Sequence, residues 1–262
     1  MILLKHELRS NFRSLLIWAG CVGTACLGCL LLFEGIKDSI EPMAELYGEM
    51  GAFSVALGMD QLNVASMEGY FATEIALIFA VGGAMFAAMT GAVMLSKEEE
   101  GHTAEFLYTL PFDRVSVVFW KYGAMALLIL LFQLVCIGAI ALGLAGAGES
   151  LDGKTLALYY GSQLLMQLEV GSVCFLLSAL CPKKQIGAAL GFSVLLYMAD
   201  VMCRIVPDLE ILKYATPFYF SNAADIFVNK AVESTPALIA LCVLLASPAL
   251  AAAVYQKRDI NA

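Results

Sequence analysis

Six stretches of this chain are too long and too apolar to stay in water, and they constrain the fold more than any other feature. The hydrocarbon core of a bilayer is about 30 Å thick and takes about 20 mostly apolar residues per helix. Residues 15–33, 123–147 and 237–255 carry no charge, 71–95 holds only Glu74, 156–180 only Glu169, and 186–206 holds Asp200 and Arg204. A membrane barrel would show segments of about ten residues with alternating polarity. These runs are continuous, so they read as helices. Only 15% of the chain is charged, against about 25% in a soluble domain, which excludes an ordinary water-soluble enzyme. A net charge of −8 with no basic stripe excludes a nucleic-acid partner. The expected fold class is an all-α membrane protein, one transmembrane domain over residues 1–262. It has six transmembrane helices, an N-terminal interfacial amphipathic helix and partly re-entrant outer segments, 34–70 and 207–236.

Lys and Arg collect on the cytoplasmic side of membrane proteins. With the N-terminus inside, the inner segments carry ten of them and the outer segments four, namely Lys37, Lys154, Lys213 and Lys230. This predicts a multi-pass protein of the cell (inner or plasma) membrane with N- and C-termini cytoplasmic. Leu3, Leu4, Leu8 and Phe12 alternate with Lys5, Arg9 and Arg13, the pattern of a helix lying on anionic membrane lipid. A cleaved signal peptide is not expected, because the apolar run is long and Phe33-Glu34-Gly35 offers no small-residue cleavage site. The eight cysteines all lie in or beside apolar runs, which suits helix packing rather than disulfides. Cys26-x-x-Cys29 has no His or carboxylate near it in sequence, so no metal site is expected.

Charges inside a membrane cost about 2.5–3.5 kcal/mol near its centre and mark functional positions. Glu169 lies near the middle of the fourth span, with Gln163 and Gln167 on the same helix. These three read either as a polar strip facing a cavity or as a buried group that fixes packing. Glu74, near the outer start of the second span, reaches the interface or lines a path. Glu74, Gln163, Gln167 and Glu169 are therefore the candidate translocation-pathway residues. Asp200 and Arg204, one turn apart, read as a structural ion pair. Gly187-x-x-x-Gly191 allows close approach of another helix, from this chain or from a partner. Aromatic residues Tyr214, Phe218, Tyr219, Phe220 and Phe227 suggest that the second outer segment dips part-way into the membrane against protein.

Two motifs invite enzymatic readings and neither survives. Residues 148–155 spell G-x-x-x-x-G-K-T, a phosphate-loop formula that needs a strand before it and a helix after it. An apolar helix precedes it here, and Glu149 and Asp152 would repel phosphate, so it reads as a Gly-rich turn. The only histidines, His6 and His102, lie outside the spans, leaving Ser172, Ser178 and Ser193 without an activating base. No catalytic residue is expected, and any ATP is hydrolysed by another chain.

The sequence is most specific in the inner loop 96–121, S-K-E-E-E-G-H-T-A-E-F-L-Y-T-L-P-F-D-R-V-S-V-V-F-W-K. Taken alone, Glu98–Glu100 is a solvated charge run. Thr103–Leu110 makes about two helical turns with Phe106, Leu107 and Leu110 on one side. Pro111 stops that helix, and Asp113 caps a new one that starts at Arg114 and runs into the third span. The product is a stiff elbow attached to a span.

This loop resembles the signature of ABC type-2 transporter permeases, the membrane subunits of ATP-driven exporters. The matching residues are Glu98-Glu99-Glu100, Thr103, Glu105, Phe106-Leu107, Pro111, Arg114 and Lys121. His102 stands where that family usually has Gly, and Asp113 replaces a Ser, which also caps helices. Leu212–Phe218 and Ala223-Ala224-Asp225 resemble the outer segment between spans five and six in one branch of the family. The resemblance implies the permease subunit of an ABC exporter, coupled to a separate ABC ATPase subunit and paired with a second permease chain as a homo- or heterodimer. It implies no cofactor in this chain, with ATP and Mg held by the partner ATPase. Thr103, Glu105, Phe106, Leu107, Pro111 and Arg114 become the ATPase-coupling residues. The alternative is a proton-coupled secondary carrier that uses intramembrane carboxylates Glu169 and Asp200. It would not need the elbow at Pro111.

Overall fold

The computed structural model describes residues 2–44, 46, 50–102 and 113–257, and these form helices and turns with no strand among them. In chain order the helices are α1 (Ile2–Ile40), α2 (Ala52–Leu57), α3 (Met67–Tyr70), α4 (Ala76–Val93), α5 (Ser96–Glu100), α6 (Arg114–Gly146), α7 (Gly153–Leu180), α8 (Ile186–Ile205), α9 (Ala223–Asn229) and α10 (Ser234–Lys257). A π-helical turn, Phe71–Ile75, joins α3 to α4 into one span. Among the described residues six helices are long and apolar enough to cross a membrane, as the apolar runs predict. Leu31, Leu142, Leu195 and Leu245 point outward from four of them, each more than half exposed. An apolar shell of this kind suits lipid and not water.

The N-terminal amphipathic segment is helical, as the sequence predicts. It continues without a break into the first span, giving a helix of 39 residues, about 58 Å at the usual rise per residue. The sequence explains the continuity, because no Gly or Pro occurs before Gly20. Glu7, the single acid among the first 33 residues, is fully buried against the bundle.

Close helix contacts are made where glycine removes a side chain. α1 lies along α6, and a Cβ on Gly143 would sit 2.7 Å from Leu30 Cδ1. α4 lies along α7, and a Cβ on Gly91 would sit 2.3 Å from the Gly171 carbonyl oxygen. α10 closes the bundle against α7 and α6. By contrast, Gly187 and Gly191 on α8 are exposed, with no atom within 4 Å of a built Cβ. Among the described residues they serve no packing within the chain.

Pro248 lies inside α10 and has no N–H to give the Leu244 carbonyl. Tyr122 on α6 supplies the missing donor, its hydroxyl lying 2.8 Å from that carbonyl and 2.7 Å from Ser172 Oγ on α7. Three helices are thus joined through one phenol.

The bundle has two ends. The 96–121 loop emerges at one, called here the loop end, together with the start of α1 and the end of α10. At the opposite end Gly148 follows the end of α6, and its φ of +69° suits glycine. Glu149 N–H then returns to the Leu144 carbonyl at 3.1 Å, a helix-ending pattern. Asp152 caps α7 through Thr155 N–H at 3.0 Å, so the G-x-x-x-x-G-K-T run is a stop followed by a cap. Part of the aromatic segment turns inward against protein. Phe218, Phe220 and Phe227 are buried, Thr216 Oγ1 donates to the Leu196 carbonyl of α8, and Phe71 meets Phe227 at 5.5 Å between ring centres.

Gly91→Ala presses a methyl onto main chain that cannot rotate away, so it should destabilise by about 1–3 kcal/mol. Gly161→Ala, with nothing within 4 Å, should be near neutral. Tyr122→Phe strands the Leu244 carbonyl and should cost about 0.6–1.7 kcal/mol. Equilibrium unfolding in detergent micelles checks all three.

Candidate functional site

At the loop end several charged side chains form a network. Lys121 stands two turns into α6, fully buried. Its ammonium has three donors and three acceptors: Glu7 Oε1 at 2.9 Å, the Met94 carbonyl at 2.8 Å, and Glu98 Oε1. The other oxygen of Glu7 pairs with Lys97. Two positive and two negative groups therefore cancel. Burying ions is expensive unless geometry and hydrogen bonding repay the lost water, and here each ammonium is met by carboxylate.

The short helix α5 gives this network its shape. Successive residues on a helix point about 100° apart, so its charges reach different neighbours: Lys97 to α1, Glu98 to α6, and Glu100 to the α7–α8 turn. Glu100 Oε2 accepts from the Lys184 N–H at 2.6 Å, and that bond holds the Glu100 carboxyl below the usual carboxylate range. Glu99 is buried. The solvated charge run expected for Glu98–Glu100 is thus corrected: only Glu100 is exposed.

The expected cap is in place. Asp113 Oδ2 accepts from Ser116 N–H at 3.2 Å, and hydrogen bonds from the Ser116 side chain and main chain hold the Asp113 carboxyl low. Arg114 opens α6 and donates to the Gln256 carbonyl at 3.4 Å, in the last turn of α10. Thr103, Glu105, Phe106, Leu107 and Pro111 lie outside the described residues.

At the opposite end a single guanidinium collects several segments. Arg204 Nε lies 3.1 Å from both oxygens of Asp200. Its Nη1 lies 2.7 Å from Asp225 Oδ2 on α9. Its Nη2 donates to the Tyr219 carbonyl at 3.2 Å, and its plane stands 4.7 Å from the centre of the Tyr219 ring. Gln61 Nε2 reaches the second oxygen of Asp225 at 3.2 Å, tying in the 50–66 segment. The sequence pairs Arg204 with Asp200 alone, because their spacing is local; Asp225 and Tyr219 join through the inward turn of the aromatic segment.

Beneath this cluster lies a cavity of about 50 Å³ lined by Thr73, Gln163, Tyr197, Asp200 and Asn222, room for a few waters. Gln163 Nε2 donates to the Ser221 carbonyl at 2.9 Å, while its Oε1 is buried without a hydrogen-bond partner among the described residues. The other candidate pathway residues do not join it. Gln167 is fully buried, packed where Gly83 leaves space. Glu169 is half-buried with Oε2 lacking a partner, and Glu74 is exposed on the π-helical turn. A second, apolar groove of about 500 Å³ opens on the side of the bundle between α1, α4 and α8, with Trp18, Ala25, Gly82 and Val194 in its walls.

Sequence reasoning missed Glu7, Lys97 and Tyr122. Two signals were present: a lone acid in a basic amphipathic helix, and a proline within a span whose freed carbonyl must find a donor.

Among the described residues, six lipid-compatible helices with charge gathered into paired clusters at each end define a multi-pass membrane protein. The chain matches the profile of the ABC-2 family transporter proteins over residues 1–260, and it belongs to that family. Membership makes it a permease subunit of an ABC transporter, a membrane component of the kind that associates with an ABC ATPase. No curated protein matches the sequence.

Arg204→Gln leaves Asp200 and Asp225 without their cation, so it should destabilise by about 3–5 kcal/mol and speed proteolysis within 207–233. Adding Asp200→Asn should recover part of that loss. Thermal unfolding of the two single variants and the double variant measures the coupling.

Proposed function

We propose that this chain is the permease subunit of an ABC exporter, forming a translocation pathway with a second permease chain. In this reading both termini face the cytoplasm, and the 96–121 loop seats on a separate ATPase that binds ATP and Mg. Thr103, Glu105, Phe106, Leu107, Pro111 and Arg114 make or position the contact. The observation that carries the reading is the stiff base of that loop. α5 stands on one side of it and the Asp113-capped α6 on the other, with Lys121 joining the two through Glu98. A loop held this way hands a push to the spans instead of absorbing it.

The second permease chain is placed against the face formed by α1, α4 and α8. The apolar groove there, together with the exposed Gly187 and Gly191, supports close approach of another helix. The geometry favours this reading over a proton-coupled carrier. Asp200 is paired with Arg204, and Glu169 is not among the residues lining the cavity that Asp200 faces, which argues against a relay between the two carboxylates.

Co-expression with the chain's soluble ATPase tests the proposal. The wild-type chain should co-purify with it, and Phe106→Asp or Arg114→Glu should weaken the complex by more than about tenfold, as expected for a central interface contact. Transport that follows a proton gradient and ignores ATP would overturn the reading, as would labelling of His102 from outside intact cells.

A further inference from the structure

We infer that Glu7 is the positioning residue that carries movement of the 96–121 loop into the first span. The inference rests on the reading that this loop seats on an ATPase. One carboxylate of α1 is divided between the two sides of the loop: Oε2 to Lys97, just before the loop leaves the bundle, and Oε1 to Lys121 at 2.9 Å, just after it returns. Lys121 also holds Glu98 and the Met94 carbonyl. The start of α1, the end of the second span, α5 and α6 therefore meet at one buried point.

Stability alone is a poor account of that arrangement. Well-packed apolar groups of similar volume commonly stabilise a core as well as a buried ion network does. What an ion network adds is a single permitted arrangement: neither Lys97 nor Lys121 can shift from Glu7 without leaving buried charge unmatched. A displacement of α5 or α6 must therefore take α1 with it. α1 also lies along α6 beyond the network, at Gly143 and Leu30, so what starts at Glu7 is passed on along the helix pair.

The test uses the complex with its co-purifying ATPase in lipid nanodiscs. Asp38→Cys, on the exposed far end of α1, is labelled with a charged maleimide with and without ATP. The chain without an introduced cysteine serves as the blank. ATP should change the labelling rate in the parent. Glu7→Gln should keep the ATPase bound and hydrolysing ATP but lose at least about fivefold of that response, the lower end of ordinary coupling between sites. Glu7→Asp, which keeps the charge, should restore part of it.

A Glu7→Gln chain that unfolds at lower temperature yet responds fully to ATP has lost only packing, and overturns the inference. Where Glu7→Gln does not fold, Lys97→Gln removes one arm and leaves the Lys121 contact. A full ATP response there overturns the inference too, and a reduced one supports it. A parent complex that hydrolyses ATP with no change at Asp38→Cys overturns the inference and leaves the permease reading standing. A chain that binds no ATPase overturns both.

Discussion

Hydrocarbon offers no partner to an unpaired polar group, and this one constraint organises the structure from its backbone to its charged clusters. It makes the spans helical, since a helix satisfies its own amides. It also accounts for the partners found at three polar or broken positions. Pro248 frees a carbonyl, and the chain spends a tyrosine from another helix on it. Lys121 is buried and receives three acceptors. Arg204 is drawn into the bundle and is surrounded by two carboxylates, a carbonyl and an aromatic ring. The polar contacts are few, but they fall where the helices must be held in register.

The two clusters differ in charge. At the loop end Lys97 and Lys121 face Glu7 and Glu98, two charges of each sign. At the opposite end one arginine faces two aspartates, and the sum is negative. The first arrangement joins segments that enclose a loop, and it is sealed from solvent at Glu7 and Lys121. The second gathers connecting segments over a small cavity lined by polar groups, with room for water.

The sequence made local features legible and left distant pairings hidden. Apolar runs gave the six spans because twenty consecutive apolar residues have no other stable use. Asp113 and the Gly148–Asp152 turn were readable because a cap and a helix stop depend on residues within four positions. Arg204 with Asp200 was readable for the same reason. Glu7 lies 90 positions from Lys97 and 114 from Lys121, and nothing in a local pattern announces such a partner. An amphipathic segment ending in arginines looks alike whether it rests on lipid headgroups or extends a span. Only the packing of a lone carboxylate against two lysines distinguishes the cases. The polar strip on α7 shows the opposite limit: spacing put Gln163, Gln167 and Glu169 on one helix, but their surroundings depend on which neighbour carries a glycine.

α1 is about twice as long as the hydrocarbon layer is thick. With no break along its length, a rigid tilt about its middle would move its two ends in opposite directions, as on a see-saw. A tilt of about 5° around the middle would shift each tip by about 2.5 Å, in opposite directions. One unbroken helix can therefore report on one face of the bilayer what has happened at the other, without any change in its own hydrogen bonding.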